Sequence, residues 1–399
     1  MQIVERQIYL QRLIDFQDKQ VIKIVTGVRR SGKSTLLKLF AQHLRSIGIE
    51  ENRIVELNFE DFDNIELCNP KNLHDYIKAR MQPGKMIYLL LDEIQQVNQF
   101  QRVVDSFFAK GDVDIYLTGS NAKMLSSEIA TLLSGRYVEI RILPLSFKEF
   151  HTYHGKGSDI IGQYNDYVRF GSFPYVLALD KNKALINDYL ESLYNTILLK
   201  DVLRRNSFAN AMMLESVVRF VYDNIGNMLS TKSIADTMTS NGRKIDVKTV
   251  ERYIQSVQES YFFYQAPRFD IKGKHLLKSL CKYYAVDTGM RQMLLGDRSY
   301  DRGRMLENVV YFELLRRYGK VYVGKYGQLE VDFVVETQEG LRYYQVSETV
   351  TAPNTLEREL RPLQSIKDSY PKLLLTLDYD NPVDYGGIQR RFVLDWLLD

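Results

Sequence analysis

The amino-acid sequence predicts an α/β protein whose N-terminal domain is built on a parallel β-sheet. Three observations support this prediction. A β-branched strand, a glycine-bounded loop and the start of a helix follow one another over residues 21–40. A continuous apolar run, Met86–Leu91, ends in two adjacent carboxylates, and a further strand-like run, Val113–Leu117, ends in small polar residues. Continuous apolar runs are typical of parallel strands that are buried on both faces.

The segments around these three runs alternate between helix and strand patterns. Apolar residues at roughly helical spacing predict a short helix within residues 4–17. The helix after the glycine-bounded loop is expected to run to about Ile47, because Gly48 follows as a stop signal. A strand over Arg53–Phe59 and a helix over Leu73–Met81 complete the pattern before the second apolar run.

The composition is that of a folded protein from a reducing compartment. A length of 399 residues suffices for two to four domains of about 100–200 residues each. The hydrophobic fraction of 45% and the charged fraction of 26% are ordinary, and a net charge of +3 neither requires nor excludes nucleic acid. The two isolated cysteines indicate no disulfide framework. No signal-peptide pattern and no membrane-length apolar run is present, so we expect a cytoplasmic protein without a membrane partner.

Residues 27–34 match the phosphate-binding pattern G-x-x-x-x-G-K-[ST]. Glycines at both ends let the backbone curl, so that successive N–H groups point into one concavity. The following helix adds its unpaired N-terminal amides and the positive end of its dipole. Lys33 can reach the β/γ-phosphates, and the Ser34 hydroxyl can ligate Mg²⁺. The predicted ATP site comprises Gly27, Arg30, Ser31, Gly32, Lys33, Ser34 and Thr35. A plain glycine turn between strand and helix is the alternative.

Asp92 and Glu93 lie at the carboxyl end of the central apolar run. Ligands of open α/β sheets bind at this end of the strands. We therefore predict that Asp92 holds Mg²⁺ together with Ser34, and that Glu93 polarises the attacking water. An acidic turn after a core strand is the competing interpretation.

Three further polar residues are candidates for the same site. Asn121, next to Ser120, follows a strand that should lie beside the acidic one, so either side chain is a candidate contact to the γ-phosphate or its water. Helix capping is the alternative role, because Ser and Asn are good caps. Arg136 follows a glycine at the start of a strand and is predicted to stabilise charge on the γ-phosphate, in cis or on a neighbouring subunit. A solvated surface arginine is the alternative.

Five segments together resemble a family of prokaryotic AAA-type ATPases, in which an N-terminal ATPase core precedes a C-terminal domain of uncharacterised function. The segments are Gly27–Thr35, Leu91–Gln95, Leu117–Asn121, Ser134–Arg136 and Pro144–Phe147. The resemblance implies an αβα P-loop fold of the additional-strand class for residues 1–155, but no known substrate. Because proteins of this ATPase class often assemble into rings, analogy suggests a homo-oligomer.

The middle of the chain has a helical texture. Residues 156–212 are predicted to form a helical lid or linker, and the family carries a Gly-Ser/Gly-Phe-Pro element here, as in Gly171–Pro174. Residues 213–282 resemble a winged helix-turn-helix, with Ser230 as a helix cap, a helix that starts at Val247, and a wing over 261–282.

Basic residues concentrate in this winged-helix-like region. The helix from Val247 bears Lys248 and Arg252, and the wing carries Arg268, Lys272, Lys274, Lys278 and Lys282. Double-stranded DNA bound through residues 230–282 is the functional interpretation, since lysine and arginine neutralise phosphates. A protein-packing module with a solvated basic hairpin is the alternative.

The C-terminal residues 283–399 have the layout of a restriction-endonuclease-like fold. Lys282–Met290 resembles the motif that opens the final module of the same family. Glu307 on a helix and Asp332 on a strand stand where such nucleases hold Mg²⁺, but Gln345 is not a carboxylate and Ser347 stands where the lysine belongs. We expect this α/β module to keep the fold without efficient cleavage.

Three functions follow from these predictions. The first is a Mg²⁺-dependent ATPase whose nucleotide state moves the lid and the C-terminal modules. The second is a nucleotide-gated switch on DNA with little turnover. The third, a DNA-cleaving defence or mobile-element protein, depends on Glu307 and Asp332.

Overall fold

The chain folds into two compact units. The structure is a computed structural model that describes residues 3–122, 133, 135–155, 159–203, 210–296 and 301–399. One unit comprises Met1–Pro144 with Glu259–Tyr261, and the other comprises Leu145–Gln258 with Phe262–Asp399. The four segments expected from the sequence stay a prediction. Two of their boundaries differ from this division, since the first unit ends eleven residues before 155 and residue 282 lies within a strand.

The first unit contains a five-stranded parallel sheet of order β2-β3-β4-β1-β5. Its strands are β1 (Ile22–Thr26), β2 (Ile54–Asn58), β3 (Ile87–Asp92), β4 (Val113–Gly119) and β5 (Tyr137–Arg141), and its described helices are α1 (Gln7–Asp15), α2 (Lys33–Ser46), α3 (Pro70–Lys78) and α4 (Phe100–Phe108). The order places β4 between β3 and β1, so the strand that ends near Asn121 lies beside the acidic strand, as the sequence predicts.

Apolar side chains cover both faces of this sheet. Along β3, Leu89 and Leu91 join a core with α3 and α4, whereas Tyr88 and Leu90 join a second core with α1 and α2. Every residue of β1 and β3 is buried. Alternate side chains of a strand point to opposite faces, so a continuously apolar run is required where helices cover both. The result is the αβα layering that the family resemblance implies.

A fully buried ion pair crosses from β1 to β4 near the amino ends of the strands. The Lys23 ammonium donates to the Asp114 carboxylate, whose other oxygen accepts from the Tyr116 hydroxyl at 2.9 Å and the Asp18 amide at 2.9 Å. Burial lowers the pKa of Lys23 and raises that of Asp114, and each partner opposes the shift of the other. Each charge of the pair therefore offsets the cost of burying the other.

We expect Asp114→Ala to destabilise the first unit by about 3–5 kcal/mol, because it leaves the buried Lys23 charge without its partner. Urea unfolding measures the loss. Asp112→Asn, at an exposed neighbouring position, should change stability by less than about 0.5 kcal/mol. The double change Lys23→Met with Asp114→Leu should recover most of the loss, since apolar residues often replace a buried pair without cost. An Asp114→Ala variant as stable as the wild type would contradict this account.

The second unit is built on an eight-stranded mixed sheet of order β12-β13-β11-β10-β9-β8-β6-β7. Its strands are β6 (Phe263–Asp270), β7 (His275–Ala285), β8 (Tyr322–Tyr326), β9 (Leu329–Thr337), β10 (Gly340–Ser347), β11 (Lys372–Thr376), β12 (Val383–Asp384) and β13 (Ile388–Phe392). Its described α-helices are α5 (Phe147–His154), α6 (Ile160–Phe170), α7 (Lys183–Thr196), α8 (Ala211–Asp223), α9 (Thr231–Ser240), α10 (Val247–Glu259), α11 (Thr288–Leu295), α12 (Arg302–Tyr318), α13 (Pro353–Ser365) and α14 (Val393–Leu398).

The predicted wing is part of this sheet. Strands β6 and β7 form an antiparallel hairpin, and β6 also pairs in parallel with β8 through Arg268–Asp270. Ser230 caps α9 as predicted, in a reciprocal capping box with Ser233. The winged-helix assignment itself stays a prediction. The hairpin is continuous with the strands of the C-terminal module, so one sheet spans the boundary expected at residue 282.

Two motifs that are far apart in sequence meet inside the second unit. The Ser172 amide and hydroxyl donate to Asp287 Oδ2 at 2.5 and 2.8 Å, and Asp287 Oδ1 caps α11 through the Met290 amide at 2.7 Å. A Cβ at Gly171 would lie 2.4 Å from Asp287 Oδ1, and one at Gly289 would lie 2.4 Å from the backbone of residue 170. Close packing therefore explains both glycines. The Gly171–Pro174 element joins the end of α6 to the start of α11.

Candidate functional site

The phosphate-binding pattern forms a tight loop between β1 and α2. Gly27 has φ +143°, and a Cβ there would lie 2.2 Å from the Ile142 carbonyl oxygen, so no other residue fits. Arg30 and Gly32 also have positive φ values, +66° and +101°. Helix α2 then begins at Lys33, with Gly32 at its N-cap. The loop thus has the backbone course that an anion-binding turn requires.

Lys33 is held inside this loop and is only 4% exposed. Its ammonium donates to the carbonyl oxygens of Gly27 at 3.1 Å and Val28 at 3.2 Å. The Nζ atom also lies 3.8 Å from Glu93 Oε1. The cation is therefore positioned among oxygen atoms at the base of the loop, where phosphate oxygens could take over the same contacts.

Ser34 and Asp92, the two predicted Mg²⁺ ligands, lie close enough that the Ser34 hydroxyl acts to lower the pKa of Asp92. Asp92 Oδ1 also accepts from the Thr118 hydroxyl at 2.5 Å. Burial raises the pKa of Asp92, while the hydrogen bonds from Ser34 and Thr118 and the charge of Lys33 oppose that shift. A hydroxyl and a carboxylate suit Mg²⁺, which takes one or two protein ligands when substrate phosphates and water supply the rest. The donor set therefore fits a nucleotide-associated Mg²⁺.

Glu93 lies directly after β3 in a left-handed backbone conformation, with φ +54°. Its amide donates to Thr118 Oγ1 at 2.8 Å, and the Gln95 side chain donates to its carboxylate. Thr118 thereby fixes both acidic residues, because its hydroxyl donates to Asp92 and accepts from Glu93. No sequence motif marked Thr118, although it lies near the end of β4, just before Ser120 and Asn121.

Ser120 and Asn121 are both buried at the carboxyl end of β4, with 1% and 5% exposure. The hydroxyls of Ser120 and of Ser31 in the loop are buried without a hydrogen-bond partner. Unpaired buried hydroxyls are uncommon in folded proteins and are often explained by a missing ligand or water. The role of Asn121 at the γ-phosphate stays a prediction.

Arg136, predicted to act on the γ-phosphate in cis or on a neighbouring subunit, lies at the opposite end of β1 from the loop of its own chain. It directly precedes β5, and its carbonyl accepts from Ile22, the first residue of β1. The phosphate loop follows the other end of β1, where Thr26 pairs with Arg141. Arg136 Nη1 instead contacts Asp105 of α4 at 2.6 Å. Action on a neighbouring subunit stays a prediction. Ser134, part of the same motif, lies outside the described residues.

Two side chains, those of Arg6 and Glu139, support the loop through contacts that could not be predicted from local sequence. The buried Arg6 donates to the carbonyl oxygens of Ser31 at 2.9 Å and Leu143 at 2.5 Å. Glu139 Oε1 accepts from the Thr26 hydroxyl at 2.6 Å and from the Tyr261 hydroxyl at 3.2 Å. These partners come from distant positions in the chain, and no motif marks them.

The predicted nuclease-like residues lie in a different arrangement from the expected one. Glu307 and Asp332 are brought together, but Lys282 of β7 lies between them. Gln345 donates to Glu359 at 2.9 Å, and the Ser347 hydroxyl donates to the Thr349 carbonyl. Lys282 is only 4% exposed, so its predicted role in phosphate contact on the wing is wrong.

Arg268 of the predicted DNA-binding region is half-buried, but several other basic residues there are exposed. They are Arg243 and Lys244 in the turn between α9 and α10, Lys248 and Arg252 on α10, and Lys272 and Lys274 in the hairpin. The side chain of Lys278 lies outside the described residues. Arg243 and Lys244 were not among the predicted DNA-contacting residues, although both directly follow the glycine of the helix–helix turn.

Comparison with known proteins gives two family matches and several relatives. Residues 19–151 match an AAA domain, and residues 161–301 match a domain of unknown function, DUF8612. An uncharacterized protein from Haemophilus influenzae is 38% identical over 99% of both chains. An uncharacterized protein from Methanocaldococcus jannaschii is 29% identical over 90% of this chain and 80% of its own.

Two solved structures are similar to the chain with low TM-scores. Aeropyrum pernix ORC1 in complex with DNA has a TM-score of 0.32 and 12% identity, covering 74% of this chain and 94% of its own. AMPPCP-bound DnaA from Aquifex aeolicus has a TM-score of 0.28 and 16% identity, covering 63% of this chain and 86% of its own. Within the described residues, no helix has the length and apolar character needed to cross a membrane.

Proposed function

Because the chain belongs to the family of AAA-domain proteins that includes the Haemophilus influenzae relative, we propose that it binds and hydrolyses ATP with Mg²⁺. One observation carries this proposal. The Lys33 ammonium, the Ser34–Asp92 pair and the Glu93 carboxylate all meet at the carboxyl edge of the parallel sheet. This is where ligands of α/β sheets bind.

Each residue has a separate task in this proposal. The amides of the loop and the Lys33 ammonium bind and orient the phosphates, and Gly27, Arg30, Ser31, Gly32 and Thr35 shape or extend that cradle. Ser34 and Asp92 would hold Mg²⁺, which neutralises charge on the phosphates when bound. Glu93 accepts a proton from the attacking water, and Asn121 orients the γ-phosphate or that water.

Mg²⁺ removal tests this proposal. Chelation with EDTA should abolish phosphate release, because the charge on the phosphates then lacks its metal partner. Binding of a fluorescent ATP analogue should persist more weakly, since the loop amides and Lys33 still contact the phosphates. Phosphate release from purified protein, with and without Mg²⁺, measures the effect. Turnover that survives chelation in full would contradict the proposed site.

The proposal extends to the rest of the chain. In this proposal the nucleotide state drives movement of the C-terminal modules and of the predicted lid, residues 156–212. The proposed location of the protein is the cytoplasm. Arg136 is exposed at 48% of its side chain, as a residue that acts on the nucleotide of a neighbouring copy must be. A homo-oligomer is therefore part of the proposal.

A second candidate function, binding of double-stranded DNA through residues 230–282, is favoured by one observation. Arg243, Lys244 and Lys248 are exposed together at the turn before α10 and at its start. The turn also carries the exposed Asp246, whose carboxylate accepts hydrogen bonds from the Thr249 amide and hydroxyl. Cations at the start of the second helix of a helix-turn-helix are suitably placed for a phosphate backbone.

Changing Arg243, Lys244 and Lys248 to glutamine should weaken duplex binding and reduce the salt dependence of log K by about 1 per lost contact. Fluorescence anisotropy across a salt series measures both quantities. A control variant with Lys19, Lys71 and Lys78 changed to glutamine removes the same charge from exposed positions of the first unit. Equal losses in the two variants, or a flat salt response of the wild type, would reject this second function.

A further inference from the structure

Three acidic residues of the second unit surround one lysine. Lys282 Nζ lies 2.9 Å from Glu307 Oε1, 2.8 Å from Glu330 Oε1 and 3.8 Å from Asp332 Oδ1. We call these four residues the Lys282 cluster. Its members come from β7, α12 and β9, so the fold assembles it from three separate elements.

The cluster is ordered by hydrogen bonds from outside it. The Tyr284 hydroxyl donates to Glu307 Oε1 at 2.7 Å, and the Val346 amide donates to Asp332 Oδ2 at 2.9 Å. Burial lowers the pKa of Lys282, but the charges of Glu307, Asp332 and Glu330 outweigh it and raise that pKa above its ordinary value. The three carboxylate groups within 4 Å therefore compensate the charge of the buried ammonium group.

The restriction-endonuclease-like layout predicted from the sequence implies a Mg²⁺ ion at Glu307 and Asp332, but the residues present do not fit one. Mg²⁺ requires oxygen ligands at about 2.0–2.1 Å in octahedral geometry. Glu307 Oε1 already accepts from both Lys282 and Tyr284. The third ligand position is an amide, Gln345, which is engaged with Glu359. Across the described ranges, no group of three or more histidine, cysteine or acidic side chains is arranged to hold a metal.

The ammonium group meets the electrostatic need that a metal would meet. Buried carboxylates that face one another repel, and a cation between them removes the repulsion. The side chain of Lys282 is 5% exposed, whereas that of Glu330 is 42% exposed and borders solvent. A lysine enclosed in this way by carboxylates is not available to contact the phosphate of a nucleic acid.

We propose that Lys282 is an internal cation that replaces the divalent metal of this nuclease-like module, which therefore neither binds Mg²⁺ there nor cleaves DNA. The nuclease-like layout has a catalytic lysine where this chain has Ser347. Lys282 of β7 does not take the place of that lysine. Removal of the Lys282 charge would turn the remaining carboxylates into a divalent-cation site.

Mn²⁺ titration followed by electron paramagnetic resonance tests this inference on full-length, nucleotide-free protein. The wild type and Asp332→Asn should bind Mn²⁺ equally weakly, because the cluster holds no metal in either. Lys282→Met keeps the length of the side chain without its charge, and it should gain a Mn²⁺ ion. In the double variant with Asp332→Asn that gain should fall by more than about tenfold, as disruption of metal-ligand partners typically does. Lys282→Arg, which keeps the charge, should match the wild type.

Two outcomes would overturn the inference. The first is Mn²⁺ binding by the wild type that falls by more than about tenfold in Asp332→Asn, or Mg²⁺-dependent nicking of supercoiled plasmid that the same change abolishes. The second is a folded Lys282→Met protein, verified by circular dichroism, that gains no Mn²⁺. The comparison of wild type with Asp332→Asn and the nicking assay do not need Lys282→Met to fold.

Discussion

Replacing Lys33 with alanine should reduce ATP turnover by at least about 100-fold, the loss typical of one preorganised donor at a developing negative charge. Its ammonium is enclosed by the loop carbonyls and lies 3.8 Å from Glu93. Arg6 also contacts the loop, through the Ser31 carbonyl, but it lies outside the motif. Phosphate release and binding of a fluorescent ATP analogue together show whether affinity, turnover or both are lost.

Lys38→Ala provides the matched control for this variant. Lys38 lies on the same helix, α2, but is exposed. It should leave turnover within a factor of about two, because a solvated lysine contributes little to a buried site. Circular dichroism must show that Lys33→Ala is folded, since the change leaves the Gly27 and Val28 carbonyls without their donor. Unchanged phosphate release from folded Lys33→Ala protein would remove the basis of the ATPase proposal.

Glu93→Gln should separate nucleotide binding from hydrolysis. The amide keeps the size of the side chain but cannot accept a proton at neutral pH, so turnover should fall by about 10²–10⁴-fold. Nucleotide affinity should stay close to that of the wild type, because Lys33, Ser34 and Asp92 are unchanged. The Glu93 backbone amide still donates to Thr118, so the end of β3 should keep its position. Single-turnover phosphate release, combined with equilibrium binding, measures the two quantities separately.

Glu66→Gln is a suitable control, because it removes one carboxylate from an exposed position of the same unit. It should change neither binding nor turnover. Loss of binding in Glu93→Gln would assign this residue to the loop structure through its contact with Lys33 rather than to proton transfer. Retention of full turnover would exclude Glu93 as the general base and leave Asp92 as the candidate for that role.

Local sequence was sufficient to predict the phosphate loop because the residues of the loop are contiguous in the chain. Gly27–Ser34 comprises one strand end, one turn and one helix start, so the motif specifies its own geometry. The Asp92–Glu93 pair follows a run that must be a central strand, and parallel strands bring their carboxyl ends to one edge. The proximity of Ser34 to Asp92 is the consequence.

Long-range arrangement decided the remaining assignments. Arg136 follows a glycine as predicted, yet the parallel register of β5 with β1 places it at the opposite end of the sheet from the loop. Lys282 has the sequence context of a basic wing, yet its strand belongs to the same sheet as β9, and its side chain is enclosed by acidic residues. In neither case can the order of the strands in the sheet be predicted from the local sequence pattern.

The chain's residue pattern alone therefore establishes an α/β protein with a phosphate-binding loop and an acidic strand end. Motifs whose residues are neighbours in sequence need only a turn and an alternating strand to become a site. The support of that loop by Arg6, the exclusion of Arg136 from its own loop and the internal cation of the second unit depend on which distant segments meet. Those meetings are fixed by strand order and burial, because a side chain's charge acts only on the groups that folding brings within a few ångströms of it.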